Sequence, residues 1–184
     1  MLSWARAARS GPIFLPVGLP GARIVAMDPA AVSDYAAHLA ALLSRHGFQR
    51  HVLTRNRVGH FQLVGSLAGE AVDILLDTGA ASTVVDLGYC RRRGLALRDT
   101  GRLGGGAGGV TLPIHDLGDV GLTLDGLAVH PDGVFAIDLS HVIEGLAEKG
   151  AEPVQAVLGV DVLLHHDAVI DYATRSLFLR HGER

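Results

Sequence analysis

The chain has 184 residues, enough for one well-buried domain with a modest extension and too few for two full-sized enzyme domains. It is 48% hydrophobic and 19% charged, and no apolar run approaches the ~20 residues of a membrane-spanning helix, so an integral membrane segment is not expected. A net charge of -3 and a pI near 6.3 give no global footprint for nucleic acid, while a single cysteine, Cys90, excludes an internal disulfide framework and a cysteine-rich zinc site within one chain and leaves the compartment open.

Residues 1 to 26 join Arg6 and Arg9 to an apolar Ile13-Phe14-Leu15, but Gly11, Pro12, Pro16, Gly18 and Pro20 interrupt any helical stretch. This is a flexible lead-in or a targeting segment, and Met27 offers an alternative start. Residues 27 to 50 carry one amphipathic helix from about 29 to 46: Asp28 can cap it, Pro29 suits its first turn, and Val32, Tyr35, Ala36, Leu39, Leu42 and Leu43 share a face until Gly47 stops it. His38 and His46 fall on its surface.

Residues 51 to 184 read as strands, a compact, barrel-like, mainly β domain with one or two short helices. His60 to Leu67 and Val72 to Leu76 form a hairpin about Ala68-Gly69-Glu70. Val84 to Gly94 holds a short helix with Asp86 as cap and Cys90 inward. Strands follow at Val110 to Ile114, Leu117 to Leu124, Leu127 to His130 after an Asp125-Gly126 turn, Val154 to Leu158, Ala168 to Asp171 and Ser176 to Leu179. Helical patches fit at about 139 to 147 and 161 to 166.

The candidate chemistry sits where Ile74-Leu75-Leu76 runs into Asp77-Thr78-Gly79-Ala80-Ala81-Ser82-Thr83. An acid at the end of a buried strand is held in a fixed direction, Gly79 allows close backbone approach, and Ala80 and Ala81 leave room around it. The structural alternative is a strand-end aspartate making an Asx-turn or a helix cap. Asp99-Thr100-Gly101 repeats the tripeptide 22 residues later. That copy lacks an apolar strand before it and reads as a turn, so Asp99 is assigned no catalytic role.

Leu75 to Thr83 resembles the active-site motif of the retropepsin-like aspartic proteases, particularly their bacterial single-domain members. Ala156-Val157-Leu158-Gly159-Val160-Asp161-Val162-Leu163 resembles the same family's apolar-apolar-Gly segment leading into a short helix. The match in order and spacing spans about 55 to 180. The resemblance implies an aspartic endopeptidase without metal or organic cofactor, in which two aspartates share one water. One chain supplies one suitable aspartate, so a homodimer would bring Asp77 and its symmetry mate together around a peptide or protein substrate. Thr78 would then brace the base of the pair and Gly79 would keep the backbone near the water. Ser82 would hydrogen-bond near the turn, Asp161 would cap the short helix, and Asp171 would close a turn.

Gly104-Gly105-Gly106-Ala107-Gly108-Gly109 satisfies G-x-G-x-x-G, but Val110 to Ile114 after it reads as a strand rather than the helix that dinucleotide binding requires. Under the resemblance this run is the flap, a hairpin that closes over bound peptide. Adjacent His165 and His166 are awkward as two ligands of one tetrahedral zinc, and they and His115 read as surface residues. No Gly-x-Ser-x-Gly elbow occurs for a serine hydrolase. The alternative function is a non-catalytic dimer module of the same fold that binds peptide or protein. A nucleotide-dependent class stays open only if the glycine run leads into a helix.

Overall fold

The computed structural model describes residues 29–105, 111–118, 120–129 and 133–181. The lead-in of residues 1 to 26 therefore lies outside the described residues, as do Gly106, Ala107, Gly108 and Gly109 of the glycine run.

Helix α1 (Pro29–Arg45) matches the expected amphipathic segment. Gly47, at φ 80°, turns the chain into β1 (Phe48–Val52), so regular β structure begins before residue 51. β1 pairs antiparallel with the last strand, β13 (Ser176–Arg180), which also pairs with β12 (Val169–Asp171). This three-stranded sheet joins the two ends of the β region. The sequence left residues 48–52 unassigned because Arg50 and His51 break the apolar pattern; the pairing with Leu177 and Phe178 supplies the order instead.

The larger sheet begins with β2 (Thr54–Arg55), β3 (Phe61–Leu67) and β4 (Glu70–Leu76). Ala68 and Gly69, at φ 52° and 82°, join β3 to β4 by the two-residue turn whose twist suits a hairpin. Along β3 burial alternates, with Phe61, Leu63 and Leu67 turned inward. At the end of β4 it does not: Ile74 and Leu76 enter the main core, while Leu75 enters a second cluster with Leu139, Leu146, Val154 and Val157. A strand buried on both faces carries an unbroken apolar run, which is why Ile74-Leu75-Leu76 stands out in the sequence.

β5 (Val84–Asp86) precedes α2 (Leu87–Arg92). The expected helix starts after its Asp86 cap, and the residues ahead of it are strand because β-branched Val84 and Val85 are paired on both sides. Asp86 caps α2 as expected, accepting a hydrogen bond from the Tyr89 amide at 2.7 Å. Next come β6 (Arg98–Gly105) and β7 (Thr111–Asp116), an antiparallel pair with a register shift between Asp99 and Leu103. The second Asp-Thr-Gly therefore lies inside a strand at an irregularity rather than in a free turn; Gly101, at φ 67°, accommodates it.

The strand expected over Leu117 to Leu124 shortens to β8 (Leu122–Leu124). Gly118, at φ 64°, donates its amide to the Asp116 carboxylate and breaks the run. β9 (Leu127–Ala128) returns after Asp125 and Gly126, both at positive φ. β10 (Phe135–Ile137), α3 (Ser140–Ala147), β11 (Ala156–Leu158) and α4 (Val160–His165) complete the chain. The sheet order is β6-β7-β10-β5-β11-β4-β3-β8-β9, with β2 on β3. The protein is mainly β with a few short helices, as the sequence implies.

Candidate active site

β11 threads between two strands that are near neighbours in the chain. It runs parallel to β4, with Leu158 opposite Leu76, and antiparallel to β5, with Val157 opposite Val84. Residues 77–83 link β4 to β5, so they must cross the end of β11. Asp77 begins that crossing. Its amide donates to the Leu158 carbonyl at 3.1 Å, and its Oδ1 accepts the Gly79 amide at 2.8 Å. One carboxylate oxygen is held in place while the side chain stays half-buried.

The crossing is possible because position 159 is glycine. A Cβ there would lie 2.6 Å and 2.7 Å from the Ser82 carbonyl carbon and oxygen and 2.9 Å from the Ala80 carbonyl oxygen, all backbone atoms. The Val160 amide donates to that Ala80 oxygen at 2.8 Å. The two sequence motifs therefore meet: Leu158 and Gly159 form the seat on which the Asp77 loop rests.

Two further residues fasten the loop. The Thr83 amide and hydroxyl donate to the two oxygens of Asp161, each at 2.7 Å, and the Thr83 hydroxyl accepts the Gly159 amide at 2.9 Å. Asp161 is thus a clamp as well as a support for the start of α4: it stands in the first turn rather than at the cap position, which Gly159 holds without a side-chain bond, and its Oδ1 also accepts the Val162 amide at 2.8 Å. Ser82 is exposed, and among the described residues its hydroxyl makes no hydrogen bond. The anchoring hydroxyl belongs to buried Thr83. An Asp separated from a Thr by 78 residues leaves no local spacing signal to find.

Above Asp77 lies a cleft of about 550 Å³. Its floor is the 77–82 loop. One wall is the β6–β7 hairpin, through Arg102, Gly104 and Ile114; another is β10 with the start of α3, through Ile137, Leu139 and Val142. Thr78, Gly79, Ala81 and Ser82 are exposed, and Ala80 is half-buried. Asp99 reproduces locally the hydrogen bond of Asp77, accepting the Gly101 amide at 2.9 Å, but it lies on exposed strand and is not among the cleft residues. Of the glycine run, Gly104 and Gly105 close β6 and reach the cleft. The strand after them is antiparallel β7, so no βαβ phosphate cradle forms here.

Cys90 is fully buried, and desolvation pushes its thiol up to about 11. His166 is buried rather than surface-lying, because its Nδ1 meets the Arg180 carbonyl at 2.9 Å and ties the end of α4 to β13. His115 and His165 are half-buried. Asp171 closes a turn as expected, accepting the Ala173 amide at 3.0 Å. Among the described residues there is no group of three or more His, Cys, Asp or Glu that could hold a metal ion, and no helix is long and apolar enough to cross a membrane.

No protein-family model matches the sequence, and no curated protein sequence matches it. Solved structures do. A retropepsin-like aspartic protease from Rickettsia conorii is 16% identical with a TM-score of 0.46, over 74% of this chain and 94% of that one. A retroviral protease-like domain from Leishmania major is also 16% identical, with a TM-score of 0.42, over 66% of this chain and 89% of that one. Both are similar to this chain in fold.

Proposed function

We propose that the chain is a retropepsin-like aspartic endopeptidase that works as a homodimer, with the two Asp77 carboxylates meeting on the two-fold axis. The observation that carries this reading is Asp77 itself, an oriented, half-buried acid on a clamped loop at the floor of a peptide-sized cleft. Two carboxyls ~3 Å apart cannot easily both ionise, so the pair shares a proton. One carboxylate takes a proton from the bound water, and the other, protonated, polarises the scissile carbonyl. Thr78 and Gly79 support the pair from below, with Ala80 and Ser82 shaping the turn. The exposure of Thr78, Gly79, Ala81 and Ser82 in one chain gives a second copy a surface to cover. The β6–β7 hairpin, with the run Gly104, Gly105, Gly106, Ala107, Gly108 and Gly109, serves as the flap. The reaction calls for no metal or organic cofactor.

The test is hydrolysis of fluorogenic peptides by the full chain. Asp77→Asn, nearly isosteric, lowers turnover about 100-fold or more while circular dichroism and dimer mass hold, whereas Asp99→Asn stays within about threefold of wild type. Excess Asp77→Asn mixed into wild type suppresses activity through heterodimers, and dilution lowers specific activity. Wild-type turnover in Asp77→Asn, or full activity of a strict monomer, overturns the reading. Peptide binding by wild type without cleavage assigns the non-catalytic module instead.

A further inference from the structure

We infer that the cleft selects peptides presenting an acidic side chain beside a large apolar one, and that Arg102 is the residue that recognises the acid. The inference rests on the peptide-cleft reading above and adds a substrate class to it.

Side chains alternate along a strand, and the hairpin register assigns their faces. Gly104 pairs with Leu112 and Leu103 with Pro113. A Cβ on Gly104 would lie 3.3 Å from Ile114 Cδ1, which puts Gly104, Leu112 and Ile114 on one face. Leu103, 67% exposed, takes the other. Arg102 lies in the irregular stretch between Asp99 and Leu103, outside the paired register, and it lines the cleft with Gly104, Leu112 and Ile114.

The remaining cleft walls are largely apolar, so the charges there are few. The one carboxylate is Asp77, and its Oδ1 already receives the Gly79 amide. His141 also lines the cleft, but Asp138 lies within electrostatic reach of it. Arg98, on the same strand, is engaged with Asp116. Arg102 has no ion pair among the described residues. A guanidinium that lines a largely apolar groove and has no ion pair among the described residues offers a planar fork that fits a carboxylate. A peptide that fills the groove with Leu, Phe or Met and carries Glu or Asp a residue or two away satisfies both features.

Fluorescence anisotropy of labelled peptides on the inactive Asp77→Asn protein tests this without requiring cleavage. Paired peptides differ only by Glu or Gln beside a central Phe-Leu. The Glu peptide is expected to bind about 3- to 10-fold more tightly, Arg102→Gln to erase the difference, and Arg102→Glu to reverse it toward a Lys peptide. Wild-type cleavage of a peptide library should show the same enrichment. Equal affinity for Glu and Gln, a preference that survives Arg102→Gln, or a loss of turnover in Arg102→Gln that is uniform across peptides overturns the inference. If wild type cuts nothing while binding follows the expected order, the endopeptidase reading falls and this inference stands.

Discussion

At the scale of single residues, the geometry of the Asp77 loop depends on a glycine that does not line the cleft. Gly159 lets the Ala80–Ser82 backbone pass where any side chain would collide with main-chain atoms, which cannot rotate away. Gly159→Ala should destabilise the protein by about 1–3 kcal/mol or more through forced displacement of the loop, and peptide cleavage should fall further than the folded fraction does. Urea unfolding set beside activity per folded molecule separates the two effects; an alanine variant with wild-type turnover would show that the loop is not seated on position 159. Asp77, Leu158 and Gly159 were legible because each belongs to a short contiguous motif. Thr83 and Asp161 were not, because their importance lies in one contact between distant segments, and Ser82 was the more visible but wrong hydroxyl.

Among elements, apolar pattern together with length made a strand legible: three-residue β11 is a wholly apolar run, whereas eight-residue β6 is mostly polar and glycine and reads as a turn. β3 and β4, seven residues each, show their pattern openly, whereas three-residue β5 and β10 are too short for a period to register. Helix α1 was legible from its periodicity, yet its packing is slight. None of its described side chains is buried, it rests on β1, and Tyr35 and Leu42 remain 42% and 47% exposed. Partial desolvation and then the nearby Asp171 carboxylate push the Tyr35 phenol up, which places the helix by the three-stranded sheet. No residue of α1 lines the cleft. Deleting residues 1 to 46 leaves β1 intact and should remove about 2 kcal/mol of packing from the half-buried Val32, Leu39 and Leu43. The melting temperature should then drop by about 4–8 °C, with turnover unchanged. Insolubility would show that the helix completes the core, and a rise in activity would show that it restrains the site.

For the whole molecule, the two sheets are joined through a buried histidine. His51 on β1 is 2% exposed, and its Nδ1 lies 2.8 Å from Asp125 Oδ2 on the β8–β9 turn. Gln49 Nε2 donates to the Asp125 carbonyl at 3.2 Å beside it. Burial holds the His51 pKa below its ordinary 6.5; Asp125 opposes that shift, and His181 and His166 add to it. The unfolded chain therefore takes up the proton first. The stabilising contribution is complete above about pH 6.5 and is lost as pH falls from there through the folded-state value, at a slope of at most about 1.4 kcal/mol per pH unit. Urea unfolding at pH 7.5, 6 and 5 should show the decline, and His51→Asn should flatten it. An unchanged slope in that variant would place the titration elsewhere.

What the sequence determined by itself was local in origin: the mainly β class from alternation and glycine-rich turns, the hairpin turns from residues that tolerate positive φ, and Asp77 from an acid following an apolar run. These signals survive without a fold because backbone conformation and strand periodicity are properties of a few consecutive residues. Only the tertiary structure decided that β11 separates β4 from β5, that Thr83 and Asp161 hold the loop, that His51 and His166 are interior, and that Arg102 faces the cleft. Each of these depends on which distant segments become neighbours. That choice is made by burying the whole apolar surface at once, a sum no single window of sequence contains.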